Sequence, residues 1–567
     1  MPAPNPNPSP NPNAPRIVVI GAGSQGNAYS APIAKLGFGI IAAVCDPIAS
    51  KRQTFGRRYI WGLSKPSRTS LAHEEFEYWQ DFIEYETQRR EKLKSGEIKD
   101  GDAEFKGIDT AFVCVLDELH VHVIKALAPL GMHIMCEKPL ASRLKDCVSI
   151  LGTMKREWET LGKKTIFGIG HVLRYSPQNV LLRKLVREEK VLGDILSVEH
   201  TEPIGWWHMA HSFVRGNWRR EDTTAPSLLA KSCHDIDFLM WLIASPASPH
   251  TADPRSVHLP SFISSTGTLN QFRRARKPLA AGSATNCLSC PIESSCLYSA
   301  KNIYVENLIT KEEVFDWPVD VIVPEMEDLY RDLGKDVAVK TLLTALEEDY
   351  TPATPNVKDR AWYGRCVWEC DNDVCDDQVV TITWEDDPLP PSATSTGHAT
   401  DGTDITKQEN EPLPTEIGNL NGRAAKTAIF HMIASTEKIC ERRGRIYGTK
   451  GEMTYDLDYI SVNDFMTGKT TKYSPPATTG GHGGGDGALA ENFCMAVQSV
   501  NEGMDPEEAQ RRYLGVTIEE VVRSHVAVFA AERARLERRV VDWDAFWEEE
   551  VVGHIDNDMH KGDGIEV

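Results

Sequence analysis

No stretch of this chain approaches the roughly 18 uninterrupted apolar residues of a membrane-spanning helix. The first fifteen residues, Met1 to Pro15, are mostly Pro and Asn. They lack the charged start and apolar centre of a secretion signal and read as a disordered tail. Positive charge is also scarce: 62 Lys and Arg stand against 82 Asp and Glu, a net charge of −20. An acidic surface of this kind argues against nucleic acid or an anionic membrane as partner. The 13 cysteines form no paired C-x-x-C motifs, and their odd number, scattered over 567 residues, speaks for reduced thiols rather than a disulfide framework. No internal repeat is visible. With 41% hydrophobic and 25% charged residues, the expected class is a globular, cytoplasmic protein of more than one domain.

What is present begins at Gly21-Ala22-Gly23-Ser24-Gln25-Gly26. The apolar run Arg16–Ile20 precedes it, a helical segment from Asn27 to Leu36 follows, and a second apolar run, Ile40–Cys45, ends in Asp46, 20 residues beyond Gly26. Strand, glycine loop, helix, strand and acid in this order are what dinucleotide binding needs. Gly21 permits the tight turn, Gly23 lets the backbone approach a pyrophosphate, and Gly26 lets helix and strand pack closely. Ser24 and Gln25 open the helix whose N-terminus faces the phosphates. Asp46 is placed to accept hydrogen bonds from ribose hydroxyls and to repel a 2′-phosphate. NAD is therefore expected over NADP.

Alternating strand and helix signals continue through Asp109–Val115, Glu118 to about Ala128 and His133–Cys136, which predicts an α/β, doubly wound parallel sheet. The expected organisation is a tail over 1–15, a dinucleotide-binding domain over 16–145 with a polar surface insertion at about 62–105, and a second α+β domain over 146–545. Loop insertions at about 245–300 and 385–423 and a tail over 546–567 complete it. The second domain is expected to carry an open, largely antiparallel sheet, from strand-like runs at 195–201, 379–384, 427–433 and 453–463. Residues from about Pro506 to Arg538 read as one long helix, and Glu385–Arg423, rich in Pro, Thr, Gly, Asp and Asn, as a mobile loop.

At Glu137-Lys138-Pro139 the chain resembles the Gfo/Idh/MocA oxidoreductases. The resemblance continues through Gly170-His171-Val172-Leu173-Arg174-Tyr175-Ser176-Pro177 and Cys233-His234-Asp235-Ile236-Asp237. Three further pieces resemble one subgroup: Cys287-x-x-Cys290-Pro291 with Cys296-Leu297-Tyr298-Ser299-Ala300, then Asp371-Asn372-Asp373-Val374, then Gly481-His482-Gly483-Gly484-Gly485-Asp486. The resemblance implies NAD(P)-dependent oxidation or reduction of a sugar, sugar acid or cyclitol, and assembly of copies through the second sheet. It implies Lys138 as the group that holds the substrate oxygen, while histidine, whose pKa starts near working pH, suits His234 to the base role. Asp237 would orient that imidazole or the substrate. Glu137 and His120 would shape the cofactor pocket. Arg174, Tyr175, Lys231 and His482 are expected substrate contacts.

One departure stands out. Many members carry an aspartate four residues before the histidine, where this chain has Ala230. A regulatory protein that binds NAD and a sugar-like effector without turnover is therefore the alternative from another class. A lyase or glycosidase using transient oxidation by bound NAD is a second. Cys287, Cys290 and Cys296 fall one ligand short of a structural zinc site unless Cys366, Cys370 or Cys375 joins them; no metal is expected.

Overall fold

The computed structural model describes residues 11–62, 69–99, 107–246, 257–349, 360–388, 420, 422–475 and 481–553. Most of the expected tail over 1–15, most of the loop over 385–423 and the chain beyond 553 lie outside the described residues.

Six short strands build the first sheet: β1 (Arg16–Ile20), β2 (Ile40–Cys45), β3 (Glu75–Phe76), β4 (Thr110–Val113), β5 (His133–Cys136) and β6 (Phe167–Ile169). All pair in parallel, in the order β3-β2-β1-β4-β5-β6. A parallel sheet is covered on both faces, which explains the near-continuous apolar runs: Ile17, Val18, Val19, Ala111, Phe112 and Ile134 are all fully buried. The order reverses between β1 and β4, so the crevice for a ligand opens at their carboxyl ends. The polar stretch read as a surface insertion supplies edge strand β3 and the helix Trp79–Ser95, which buries Phe82 against Phe76.

The second sheet has nine strands: β7 (Ile195–Gly205), β8 (Phe262–Thr268), β9 (Asp377–Trp384), β10 (Lys426–Thr436), β11 (Arg443–Gly448), β12 (Gly451–Tyr455), β13 (Ile460–Asp464), β14 (Thr470–Tyr473) and β15 (Val541–Asp542). Their order is β14-β13-β12-β11-β7-β10-β9-β8-β15, antiparallel throughout except for the central pair β7 and β10. The strict alternation of buried and partly exposed residues along β9 and β12 marks a sheet with one covered face. The helices Cys233–Ile243 and Ile518–Glu537 lie on that face.

Two expected elements divide. The run over 453–463 is a hairpin, β12 and β13, turned at Asp456–Tyr459, where Asp456 Oδ1 accepts from the backbone of Asp458 and Tyr459. The single helix expected over 506–538 breaks at Gly515, whose φ of 62° is left-handed, and restarts at Thr517. Thr517 and Glu520 cap each other's backbone N–H groups in a capping box.

Candidate active site

Gly21 turns the chain out of β1 with φ 102°. A Cβ there would sit 2.3 Å from the Cys114 carbonyl oxygen at the end of β4, and one at Gly26 would sit 2.2 Å from the Gly21 oxygen. Only glycine gives this loop. Nothing lies within 4 Å of a Cβ placed on Gly23, so the loop's outer side is open. The helix Ser24–Leu36 starts there with no side chain capping it, which leaves first-turn N–H donors for an anion. Asp46, at the end of β2, accepts from Ala22 N through Oδ2 (2.9 Å) and from Ile48 N through Oδ1 (2.8 Å). A carboxylate accepts about four hydrogen bonds, so ribose acceptors remain. These residues fit a dinucleotide, which supplies a hydride acceptor or donor when bound.

The neighbouring residues divide between site and scaffold. Lys138, beyond β5, donates from Nζ to the Ala230 carbonyl oxygen (2.8 Å). At the position where an aspartate is usual, the backbone thus anchors the lysine, and two of its three donors stay available. Glu137 is instead buried, with Oε1 against the Tyr29 hydroxyl; burial pushes its carboxyl up to about 7. His120 has no exposure, and its ring nitrogens meet the carbonyls of Pro139 (2.8 Å) and Val115 (3.2 Å). Both were expected at the cofactor; both brace the turn beneath it.

Asp237 does not orient His234. It forms a two-pronged pair with Arg174, 2.7 Å at each contact, and both side chains are buried. The guanidinium overcomes the effect of burial and holds the Asp237 carboxyl down at about 2. Nε and Nη2 of Arg174 are thereby engaged inside the protein, while Nη1 has no hydrogen-bond partner among the described residues. Tyr175 donates to the Leu514 carbonyl (3.0 Å) and is buried as well. Neither lines the cavity beside His482; both border a separate cavity of about 670 Å³. Lys231 contacts Cys440 Sγ (2.9 Å) and Glu202 (3.3 Å).

The group sequence reasoning missed is Arg442, immediately before β11. Its Nε contacts Asp235 (2.6 Å) and Glu202 (3.1 Å), and its Nη2 donates to His234 Nε2 (3.0 Å). A guanidinium has no acceptor, so the Nε2 lone pair is occupied and the ring proton sits on Nδ1. That nitrogen is buried and unpartnered. Burial, reinforced by Arg442 and Lys138, pushes the imidazole well below its usual range. His234 is therefore poorly placed as a base. Asp235 is also held down by Arg442, and accepts from His200 (3.0 Å).

Of these groups His200, Cys440 and Arg442 border a cavity of about 470 Å³. Its wall includes Ser176, Asn179, His200, Cys440, Arg442, Tyr455, Asp456 and His482. His482 stands in the glycine run with φ 50° and contacts Asp486 through Nδ1 (3.0 Å). Asp486 accepts from Gln25 of the glycine loop (3.1 Å). One chain of hydrogen bonds thus links the dinucleotide cradle to the cavity.

A family model described as an oxidoreductase family with an NAD-binding Rossmann fold, GFO_IDH_MocA, matches residues 15–163. The match covers about a quarter of the chain, most of its first sheet and the glycine loop, and marks that region as similar to the NAD-binding domain of the Gfo/Idh/MocA oxidoreductases. Curated relatives match over stretches of similar length. The 2,7-anhydro-N-acetylneuraminate hydratase of Escherichia coli is 28% identical over 138 residues, 24% of this chain and 34% of the relative. The inositol 2-dehydrogenase of Paracoccus denitrificans is 31% identical over 137 residues, 24% of this chain and 35% of the relative. The chain spans about a third of the length of these curated relatives. Among solved structures, levoglucosan dehydrogenase in complex with NADH and levoglucosan covers 93% of this chain and 99% of its own, at 14% identity and a TM-score of 0.51. An oxidoreductase domain protein from Kribbella flavida does so at 13% identity and 0.52. At these identities the structural likeness concerns the fold.

Elsewhere, Cys287, Cys290, Cys296 and Cys366 line one small cavity of about 10 Å³. Cys287 Sγ accepts from Arg215 (3.3 Å). Among the described residues no three His, Cys, Asp or Glu side chains stand in a metal-holding arrangement, and all the cysteines are free thiols.

Proposed function

We propose that this protein is an NAD-dependent oxidoreductase of the Gfo/Idh/MocA type that moves hydride between nicotinamide and a hydroxyl-bearing carbon of a sugar, sugar acid or cyclitol. The observation that carries this reading is the hydrogen-bonded run from Gln25 through Asp486 to His482, which joins the glycine cradle to the cavity. A volume of about 470 Å³ lies within the usual range of small-molecule sites. A wall of hydroxyl, amide, carboxylate and guanidinium groups matches a ligand dense in hydroxyls. Lys138 is assigned to the substrate oxygen: its ammonium stabilises negative charge that develops there, and Ala230 fixes its direction. Asp46 is assigned to the adenosine ribose, which favours NAD over NADP. The half-exposed face of the second sheet, with Ile429 38% exposed, is assigned to contact between copies of the chain. No described helix is long and apolar enough to cross a membrane.

The hydratase among the relatives supports a second reading, transient oxidation with no net redox change. The missing carboxylate at Ala230 fits either. Incubation with NAD and a panel of sugars and cyclitols separates them. NADH accumulation supports the dehydrogenase; product without NADH supports transient oxidation. Tight NAD binding with neither indicates a sensor.

A further inference from the structure

The expected base, His234, has its Nε2 lone pair bound to Arg442 and carries its proton on an enclosed Nδ1. It does not line the cavity, and an imidazole arranged this way donates rather than accepts. A different imidazole has the opposite arrangement. His482 Nδ1 faces both oxygens of Asp486, at 3.2 and 3.0 Å. A carboxylate only accepts, so His482 carries its proton on Nδ1 and leaves Nε2 with a lone pair. Among the described residues Nε2 has no hydrogen-bond partner. The side chain is 24% exposed and belongs to the cavity wall. The two imidazoles meet edge to face, with ring centroids 5.7 Å apart.

We propose that His482, oriented by Asp486, is the proton acceptor for the substrate hydroxyl, in place of the enclosed His234. The proposal rests on the oxidoreductase reading above. In the oxidative direction the substrate O–H bond breaks and its proton moves to His482 Nε2. The adjacent C–H pair leaves as hydride to the oxidised nicotinamide, which is the oxidant, and C=O forms. Asp486 and Gln25 act through His482 and are positioning residues. Asp486 is held by three features: its place in the first turn of the helix Gly485–Asn501, the bond from Gln25, and the close wrap of Gly481, where a Cβ would sit 2.0 Å from Oδ2. Gln25 also belongs to the glycine loop, so the same loop that would seat the dinucleotide carries a hydrogen bond to Asp486.

Two substitutions suit the left-handed backbone at position 482. Asn tolerates φ near 50° and Gly takes it freely. His482→Asn should lower kcat by about 10²–10⁴-fold, with the dissociation constant for NAD within about twofold of wild type, the scatter expected of a group that does not touch the cofactor. His482→Gly should regain part of the loss on addition of imidazole, which the emptied cavity wall can admit; Asp486→Asn should lose turnover without such rescue. Imidazole rescue of His234→Gly but not His482→Gly, or an unimpaired His482→Asn enzyme, overturns the proposal. A readout free of turnover separates it from the reading beneath it: ¹⁵N NMR of the ring should find His482 protonated at Nδ1 in the NAD complex. Protonation at Nε2 overturns the dyad even if the enzyme is active. Wild-type protein that reduces no NAD with any polyol overturns the oxidoreductase reading, whatever the tautomer.

Discussion

Replacing Arg174 by Met would leave the Asp237 carboxylate in a dry site without its guanidinium. Both contacts of the pair are 2.7 Å, and the two residues are 5% and 0% exposed. Removing one partner of such a buried pair costs roughly 3–5 kcal/mol, because the remaining charge is uncompensated. The Asp237 pKa gives a second figure. A fall from 3.8 to about 2, at roughly 1.4 kcal/mol per unit, corresponds to about 2 kcal/mol. The folded pKa lies below the unfolded one, so this contribution is complete above about pH 4 and is lost as pH falls toward 2. Urea unfolding followed by tryptophan fluorescence and circular dichroism measures the change. Arg174→Met and Asp237→Leu should each lose several kcal/mol. The double variant should regain most of it, since two apolar side chains replace a buried pair at little net cost. NAD affinity of the folded protein should not move. An unchanged urea midpoint for Arg174→Met, together with a raised KM for the polyol, would refute the reasoning and return Arg174 to the substrate.

Asp46→Ala should weaken NAD binding and narrow the preference over NADP, by titration of both cofactors; an unchanged preference would remove Asp46 from the ribose. Glu137, whose folded pKa of about 7 lies above its unfolded value of 4.5, contributes stability that is full below about 4.5 and fades as pH rises to about 7. Glu137→Gln should abolish that slope in unfolding free energy measured between pH 5 and 8; a slope that persists would place its origin elsewhere.

The glycine loop was legible because its parts are contiguous: a strand, a turn only glycine can make and a helix fall within 21 residues, Arg16 to Leu36. The largely antiparallel character of the second sheet was legible from strand-like runs, such as those at 379–384 and 427–433, set apart by turns and irregular stretches. The strands β8, β11 and β14 were not, since sequences such as Arg443–Gly448 carry little apolar pattern and owe their conformation to pairing with distant partners. The site suffered the same limit. Helical spacing put His234 and Asp237 on one face, but the helix Cys233–Ile243 is buried all round. Its polar groups accordingly found partners on several elements: Arg174 for Asp237, and Arg442 for His234 and Asp235. Nothing local distinguishes Arg442 from Arg443 beside it. The break at Gly515, by contrast, had a signal in Thr517-Ile518-Glu519-Glu520, a capping box that the length of the helical pattern obscured.

The central claim, hydride transfer at Lys138 beside a bound dinucleotide, is tested most directly by NADH absorbance with wild type and Lys138→Ala, alongside NAD binding to both. The account predicts that wild type forms NADH with at least one polyol, and that Lys138→Ala binds NAD equally well but forms NADH at least about 10²-fold more slowly, as for loss of a group that stabilises transition-state charge. Equal rates in the two proteins would contradict it.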